Sequence, residues 1–115
     1  MLTPSNIEEI DNKNYNVDNI IEKIDKSIKD NHEKYNYEYG SYEKILPFSV
    51  RERIAKSYNE AGWNYVYHRI VEQGGYLNKG ISEFIFANSK LFLNTGNTGN
   101  DYVESKAVAN VHFVK

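Results

Sequence analysis

Aliphatic residues recur with a helical period in the first third of the chain. They stand three or four positions apart among charged and polar residues, which predicts a helix from about Asp18 to Lys34. A shorter helix is predicted within residues 3–13, because Ser5 and Glu8 have the spacing of a capping box. The residues that set the period of the longer helix are Val17, Ile20, Ile21, Ile24 and Ile28.

A third helix is predicted over residues 49–61. Ser49 and Glu52 have the S-x-x-E spacing of a capping box at its start. Gly62 follows its last residue, where a glycine commonly ends a helix in a left-handed conformation. One apolar seam is expected along this helix, formed by Val50, Ile54, Tyr58 and Ala61.

After Gly62 the pattern changes to a period of two, with β-branched and aromatic residues between glycine-rich and asparagine-rich turns. A fourth strand is predicted over residues 107–114, with a helix over residues 102–109 as the alternative. Residues 35–47 are predicted to form either a connector or an edge strand. The three clearest strands are predicted at residues 63–72, 81–87 and 90–94.

This order of elements predicts an α+β fold, in which N-terminal helices precede a helix packed on an antiparallel meander of three or four strands. Residues 47–115 would supply that helix and the sheet core. Residues 1–46 form an acidic helical segment, which is either part of the same domain or an interaction arm.

Charge and composition narrow the function classes. The chain of 115 residues has a net charge of −2, with −4 in residues 1–46 and +2 in residues 47–115. This distribution, with a pI of about 5.9, is unlike that of a basic DNA-binding protein. The absence of cysteine excludes thiol catalysis, disulfides and cysteine-ligated zinc. No leader and no apolar run of membrane-spanning length are found, so we expect an intracellular protein that does not bind membranes.

Known catalytic motifs are missing from the sequence. His32, His68 and His112 have no metal-ligand spacing, and there is no G-x-S-x-G segment. The glycine-rich stretch at 74–80 lacks the G-K-[ST] ending of a phosphate-binding loop. We therefore predict no catalytic residue, no cofactor and no metal.

The aromatic and basic run after Gly62 is the main candidate for binding. Alternation places Trp63, Tyr65, Tyr67 and Arg69 on one face of the strand. Either Trp63 and Tyr65 fold back onto the preceding helix as core, which we favour, or this face is exposed and binds a protein partner or stacks on single-stranded nucleic acid. The candidate binding residues are Arg51, Arg53, Tyr65, Tyr67, His68 and Arg69.

The isoleucine stripe of the second helix is the other candidate surface. Ile20, Ile24 and Ile28 lie on one helix face, which is narrow and purely aliphatic. So few isoleucines cannot form a core alone. We expect it to pack against the sheet domain or to serve as an interface with a partner protein or a second copy of the chain.

The stretch RERIAKSYNEAGWNYV, Arg51 to Val66, resembles a pattern found in small, mostly uncharacterised proteins of tailed bacteriophages. The pattern is an amphipathic helix that ends in Tyr-x-x-Ala-Gly-Trp and leads into a strand. The resemblance implies a phage origin, and hence the host cytoplasm as the location. It implies no activity.

These observations favour a small non-enzymatic interaction protein that binds a protein partner or associates with itself. One alternative is a module that binds single-stranded nucleic acid through the aromatic and basic strand. A second alternative is a small-ligand binder or enzyme, with a pocket between helix and sheet lined by Tyr58, His68 and Arg69.

Overall fold

The computed structural model describes residues 1–73, 79–91 and 102–108. These residues form three helices and a four-stranded antiparallel sheet, which confirms the predicted α+β class. Among the helices of these residues, none has both the length and the apolar character that a membrane crossing requires. The elements are α1 (Pro4–Asn14), α2 (Val17–Asp30), β1 (Glu38–Tyr42), α3 (Phe48–Glu60), β2 (Tyr65–Gln73), β3 (Lys79–Ala87) and β4 (Val103–Glu104).

The sheet has the strand order β1-β3-β2-β4. Strands β2 and β3 pair from Tyr65 with Ala87 to Gln73 with Lys79, as the sequence predicts. The segment at 35–47 supplies an edge strand, β1, which pairs with the far side of β3. The short β4 pairs with β2 on the opposite edge.

Two predicted strands lie mostly outside the described residues. Of the strand predicted at 90–94, only Lys90 and Leu91 are described, and neither is in a strand. Of the strand predicted at 107–114, the described residues 107 and 108 are also outside any strand. In the described part of the tail, the residues that pair with β2 are those of β4, which ends three positions before the predicted start at 107.

The first two helices begin one or two residues before their predicted starts. Thr3, not Ser5, caps α1: its hydroxyl accepts from the backbone N–H of Asn6, whose side chain accepts from the N–H of Thr3. A capping box therefore starts α1, but Thr3 and Asn6 form it in place of Ser5 and Glu8. Asn16 caps α2, and this helix ends at Asp30, four residues before the predicted end.

The predicted capping box of α3 is wrong, whereas its predicted end is confirmed. Pro47 precedes the helix without any side-chain cap, because Ser49 and Glu52 bond to distant segments instead. At the C-terminus, Gly62 has a φ of +120°. The N–H of Gly62 donates to Asn59 O and that of Trp63 to Tyr58 O, which is the bonding of a Schellman motif.

Helices α2 and α3 cover the sheet face that carries Val66, Phe84 and Phe86. Trp63 packs against this core, as predicted, with its ring centroid 6.1 Å from that of Phe86. Tyr65 does not, because strand alternation turns it to the opposite face. The buried residues of this core are Ile20, Ile24, Leu46, Val50, Ile54, Ala55, Tyr58, Val66, Phe84, Phe86 and Val108.

The opposite sheet face has its own apolar cluster. Tyr65, Tyr67 and Ile85 are buried there. The favoured prediction, that this aromatic face packs on α3, is wrong in its choice of face, since α3 lies on the other side of the sheet. The partly buried residues that pack against the cluster are Tyr37, Tyr39, Leu91 and Tyr102.

The isoleucine stripe of α2 is used largely within the chain. Ile20 and Ile24 are buried in the core, and Ile28 is partly buried against it. Gly40 of β1 allows this approach, because a Cβ at that position would lie 2.8 Å from Ile28 Cγ1 and 3.0 Å from Ile24 Cγ2. In this arrangement Ile20 and Ile24 offer almost no surface to a second chain.

Candidate functional site

The six predicted binding residues do not form one surface. Tyr65, Tyr67 and Arg69 belong to the sheet face away from the helices, whereas His68 points towards α3 and contacts Arg51. Arg53 lies further along α3 and donates to the side chain of Asn12 on α1. The structure therefore divides this set into an outer group, an inner group and a contact between helices.

His68 is a completely buried histidine held between two charged side chains of α3. Its Nδ1 lies 3.0 Å from Arg51 Nη1 and its Nε2 lies 3.1 Å from Glu52 Oε1. Because a guanidinium can only donate, Nδ1 must accept, and the ring proton on Nε2 points at Glu52. Burial lowers the pKa of His68, the charge of Arg51 lowers it further, and the hydrogen bond to Glu52 opposes both.

Glu52 also binds the segment after β4 and so connects that segment to His68. Its Oε2 accepts from Ser105 Oγ at 2.7 Å and from the backbone N–H of Ala107 at 2.6 Å. Phe48 closes the other side, with its ring edge-on to the imidazole at 5.7 Å. The arrangement stabilises the packing of residues 105–107 on α3, and it gives an external substrate no access to the imidazole.

The pocket predicted between helix and sheet is not formed by the three residues proposed for it. Tyr58 donates from its hydroxyl to Asp25 of α2 at 2.6 Å, which fixes α3 to α2. His68 is enclosed by Arg51 and Glu52, and Arg69 lies on the opposite sheet face. The structure thus separates the three side chains that the sequence suggested as a lining.

Arg69 is bound to neighbours on the outer face. Its Nη2 lies 3.3 Å from Glu83 Oε2, and the same oxygen accepts from the Tyr102 hydroxyl at 2.9 Å. The guanidinium also lies 4.2 Å from the centre of the Tyr102 ring, at cation–π distance. Burial and the Glu83 carboxylate raise the pKa of both Tyr39 and Tyr102. The charge of Arg69 is therefore largely compensated within the chain.

Tyr65 and Tyr67 have little exposed surface. Their exposed fractions are 3% and 5%, and their rings stack on each other at 6.3 Å. The Tyr67 hydroxyl accepts from the backbone N–H of Leu91. Stacking of a nucleic-acid base needs an open ring face, so it would require the residues that cover these rings to move away.

Helix α1 and the residues before it present a group of exposed aliphatic side chains. None of the side chains of α1 is buried: Ile7 and Ile10 are exposed to 41% and 45%, and Leu2, just before the helix, is exposed to 65%. The side-chain bonds that attach it to α3 are polar: Ser49 donates to Asp11 and Arg53 donates to Asn12. The aromatic ring of Phe48, next to Ser49, is also about half exposed.

A groove lies where the loop after α2 meets the start of β2. It has a volume of about 380 Å³ and adjoins a second hollow of about 340 Å³, with which it shares His32, Glu38 and Trp63. Sequence reasoning missed this site because its walls come from segments that are far apart in the chain. The groove is lined by His32, Glu33, Tyr35, Asn36, Tyr37, Glu38, Trp63, Phe86, Ala87, Asn88, Ser89 and Leu91.

The residues that the structure describes contain no group of three or more histidine, aspartate or glutamate side chains placed to hold a metal ion. The closest approach to one is in the groove, where His32 Nδ1 lies 3.0 Å from Glu38 Oε1 and Nε2 lies 3.9 Å from Glu33 Oε1. Both imidazole nitrogens therefore face carboxylates.

Comparisons with protein-family profiles, with curated proteins and with solved structures gave no match to this chain. The features of the described residues that could serve a function are the surface of α1, the groove, and the side-chain contacts around Glu52 and Glu83.

Proposed function

We propose that this chain is a small non-enzymatic interaction domain that binds a protein partner through α1 and the adjoining start of α3. The observation that carries the proposal is the exposure of α1. A surface helix of a folded domain ordinarily buries an apolar stripe, whereas α1 buries no side chain and leaves Ile7 and Ile10 nearly half exposed.

The energetics of α1 support a role in binding. An isolated helix of 11 residues is marginal in water, and the side-chain bonds of Asp11 and Asn12 to α3 contribute only about 0.5–1.5 kcal/mol each. Covering the apolar side chains would add about 25 cal/mol for each Å² removed from water. A partner that covers Leu2, Ile7 and Ile10 would therefore stabilise α1 while it binds.

Charge favours a different protein over a second copy. The exposed face of α1 carries Glu8 and Glu9, within a segment of net charge −4 over residues 1–46. A symmetric dimer through α1 would bring these like charges together. A partner with a basic rim around an apolar centre would complement them. The resemblance of Arg51–Val66 to phage proteins supports a phage origin, which would make the host cytoplasm the place where this partner is met.

Site-specific photocrosslinking of the full chain tests the proposal. A photoreactive phenylalanine analogue would replace Ile7, and in a matched variant it would replace Lys26, an exposed residue of α2. We expect one protein adduct of defined mass from position 7 and none from position 26. The purified partner should then lose at least about tenfold in affinity with Ile7→Asp/Ile10→Asp, at an unchanged melting temperature.

Two outcomes would contradict the proposal. An adduct with twice the mass of the chain would show self-association through α1 in place of a different partner. Equal labelling from positions 7 and 26, together with a large drop in melting temperature for Ile7→Asp/Ile10→Asp, would show that α1 is structural.

A further inference from the structure

The geometry points to a binding site for an organic cation in the groove between the loop after α2 and Trp63. We propose that it accepts a primary ammonium or guanidinium group on an aliphatic chain, as in a lysine or arginine side chain or a small alkylamine. The site is separate from α1, because no residue of α1 lines the groove or the adjoining hollow. The inference therefore does not depend on the proposed function.

Aromatic and aliphatic side chains form part of the walls of this site. Trp63, the chain's single tryptophan, lines both the groove and the adjoining hollow, and Ile28 lines the hollow beside it. Tyr35 and Tyr37 stack in parallel with their ring centres 5.3 Å apart at the rim. The faces of tryptophan and tyrosine rings attract cations, and the aliphatic wall suits the methylene chain of such a ligand.

The negative charge of the site comes from Glu38. Its side chain is only 24% exposed, and Oε1 is 3.0 Å from His32 Nδ1. The other oxygen, Oε2, is buried and has no hydrogen-bond partner among the described residues. A carboxylate with one dry, unbonded oxygen is poorly compensated. Glu38 lines both the groove and the adjoining hollow, so its carboxylate gives them a negative potential, which a bound cation would neutralise.

The neighbouring charges set the selectivity. Glu33 lies beyond His32, with its Oε1 3.9 Å from Nε2, and adds a second carboxylate. Lys29 lines the hollow and is exposed, so two carboxylates and one ammonium leave a net charge of −1, which one positive charge on the ligand balances. The site should therefore prefer monocations to polyamines and should exclude carboxylates and phosphates. Its two volumes, about 380 and 340 Å³, are at the small end of ligand pockets.

The test is a titration of the full chain followed by the ¹H–¹⁵N signal of the Trp63 indole. The probes are n-butylamine, N-acetyl-lysine methylamide, N-acetyl-arginine methylamide, and the uncharged N-acetyl-norleucine methylamide as the control. We expect saturable shifts with the three cations and at least about tenfold weaker binding of the norleucine probe, since a charge-assisted interaction contributes about 1.5–3 kcal/mol. Tighter binding of the amino-acid probes than of butylamine would assign the ligand to a polypeptide side chain, and the reverse would assign it to a free amine.

Variants separate the charge from the shape of the site. Glu38→Gln keeps the side-chain size and should weaken the cations about tenfold or more. Glu43→Gln, which removes an exposed carboxylate outside the groove, should change nothing. Trp63→Phe has no indole, so its titration is followed by the backbone amide signal of Glu38, and binding should weaken about threefold or more. The proposal fails if the norleucine probe binds as well as the lysine probe, or if Glu38→Gln binds cations like the unchanged protein at an unaltered melting temperature.

Discussion

Nε2 of His68 lies 3.1 Å from Oε1 of Glu52, and both side chains lie between α3 and the sheet. Arg51 also points at the imidazole, with its Nη1 3.0 Å from Nδ1. A doubly protonated ring would lose the bond that Nδ1 accepts from Arg51 and would face a positive charge at 3.0 Å. The folded chain therefore requires a neutral His68.

We predict that stability falls as the pH drops below about 6.5, the ordinary pKa of histidine. The folded-state pKa of His68 is lowered by burial and by Arg51. The unfolded chain consequently binds more protons in this window, and stability is lost between the unfolded and the folded pKa. Urea unfolding at several pH values from 8 to 5.5 should show a slope approaching about 1.4 kcal/mol per pH unit.

The assignment of this slope to His68 needs two variants. His68→Gln should be less stable at pH 8 but should lack the histidine part of the slope. His32→Gln removes an exposed histidine and should keep it. A slope between pH 7 and 6 that survives in His68→Gln would contradict the neutral, buried imidazole.

Glu52→Ala should be among the most destabilising single changes in α3. It leaves His68 Nε2 without an acceptor, and it leaves the backbone N–H of Ala107 only its longer 3.1 Å bond to Ser105 Oγ. An unpaired buried polar group costs about 1–3 kcal/mol. Ser105→Ala removes one donor to the carboxylate and the longer bond of the Ala107 N–H, which keeps Glu52 as acceptor, and it should cost about 1 kcal/mol. Chemical denaturation measures the loss of stability in both variants. In Glu52→Ala the backbone amide of Ala107 should also exchange its hydrogen faster, through a local opening that leaves the sheet intact. Equal effects of the two variants would show that the carboxylate does not connect the segments.

Gly40→Ala should destabilise the chain by steric conflict, and Gly62→Ala by backbone strain. A Cβ at Gly40 would lie 3.1 Å from Ile24 O, besides its conflict with Ile28, and overpacking costs about 1–3 kcal/mol. A Cβ at Gly62 meets nothing within 4 Å, so only its positive φ penalises alanine, by about 1–2 kcal/mol.

A double variant distinguishes these two causes. Ile28→Ala should partly offset Gly40→Ala, because it removes the Cγ1 atom with which the new methyl collides. The same change should be additive with Gly62→Ala. Additivity in both pairs, measured by urea denaturation, would show that α2 does not approach Gly40 as closely as the structure indicates.

Tyr58→Phe should lower stability by about 1 kcal/mol, because it removes the 2.6 Å hydrogen bond to Asp25 and keeps the ring. The ring itself packs on Phe86 with centroids 4.3 Å apart. Tyr58→Ala should therefore cost much more, about 3–5 kcal/mol. Thermal melts of both variants check the order, and a phenylalanine variant as unstable as the alanine variant would place the main contribution in the hydroxyl.

Local patterns predicted the helices and the central hairpin well because the signals for them lie within a few residues of each other. The isoleucine period marks α2, and Gly62 with Trp63 marks the end of α3. The capping box failed for the opposite reason. Ser49 and Glu52 have the right spacing, but Asp11 and Ser105 compete for them from distant parts of the chain.

The choice of sheet face could not be read from alternation. Both faces of β2 carry bulky side chains, and the inner face includes the polar His68, which is completely buried. Only the partners Arg51 and Glu52 make its burial tolerable, and neither could be assigned to it from spacing. The groove escaped prediction for a related reason, since Glu38 and Trp63 meet only after β1 docks beside β3.

The strand order also has a consequence for how the chain reaches this structure. Gln73 and Lys79 pair although they are only six positions apart in the chain, whereas Glu38 of β1 must find Phe86 across the whole of α3 and β2. Closing the longer loop has the larger entropic barrier. We expect the central hairpin and α3 to form in the transition state, and β1 to join afterwards together with α2. Changes at Gly40 should then mainly accelerate unfolding, whereas changes at Phe84 should slow folding.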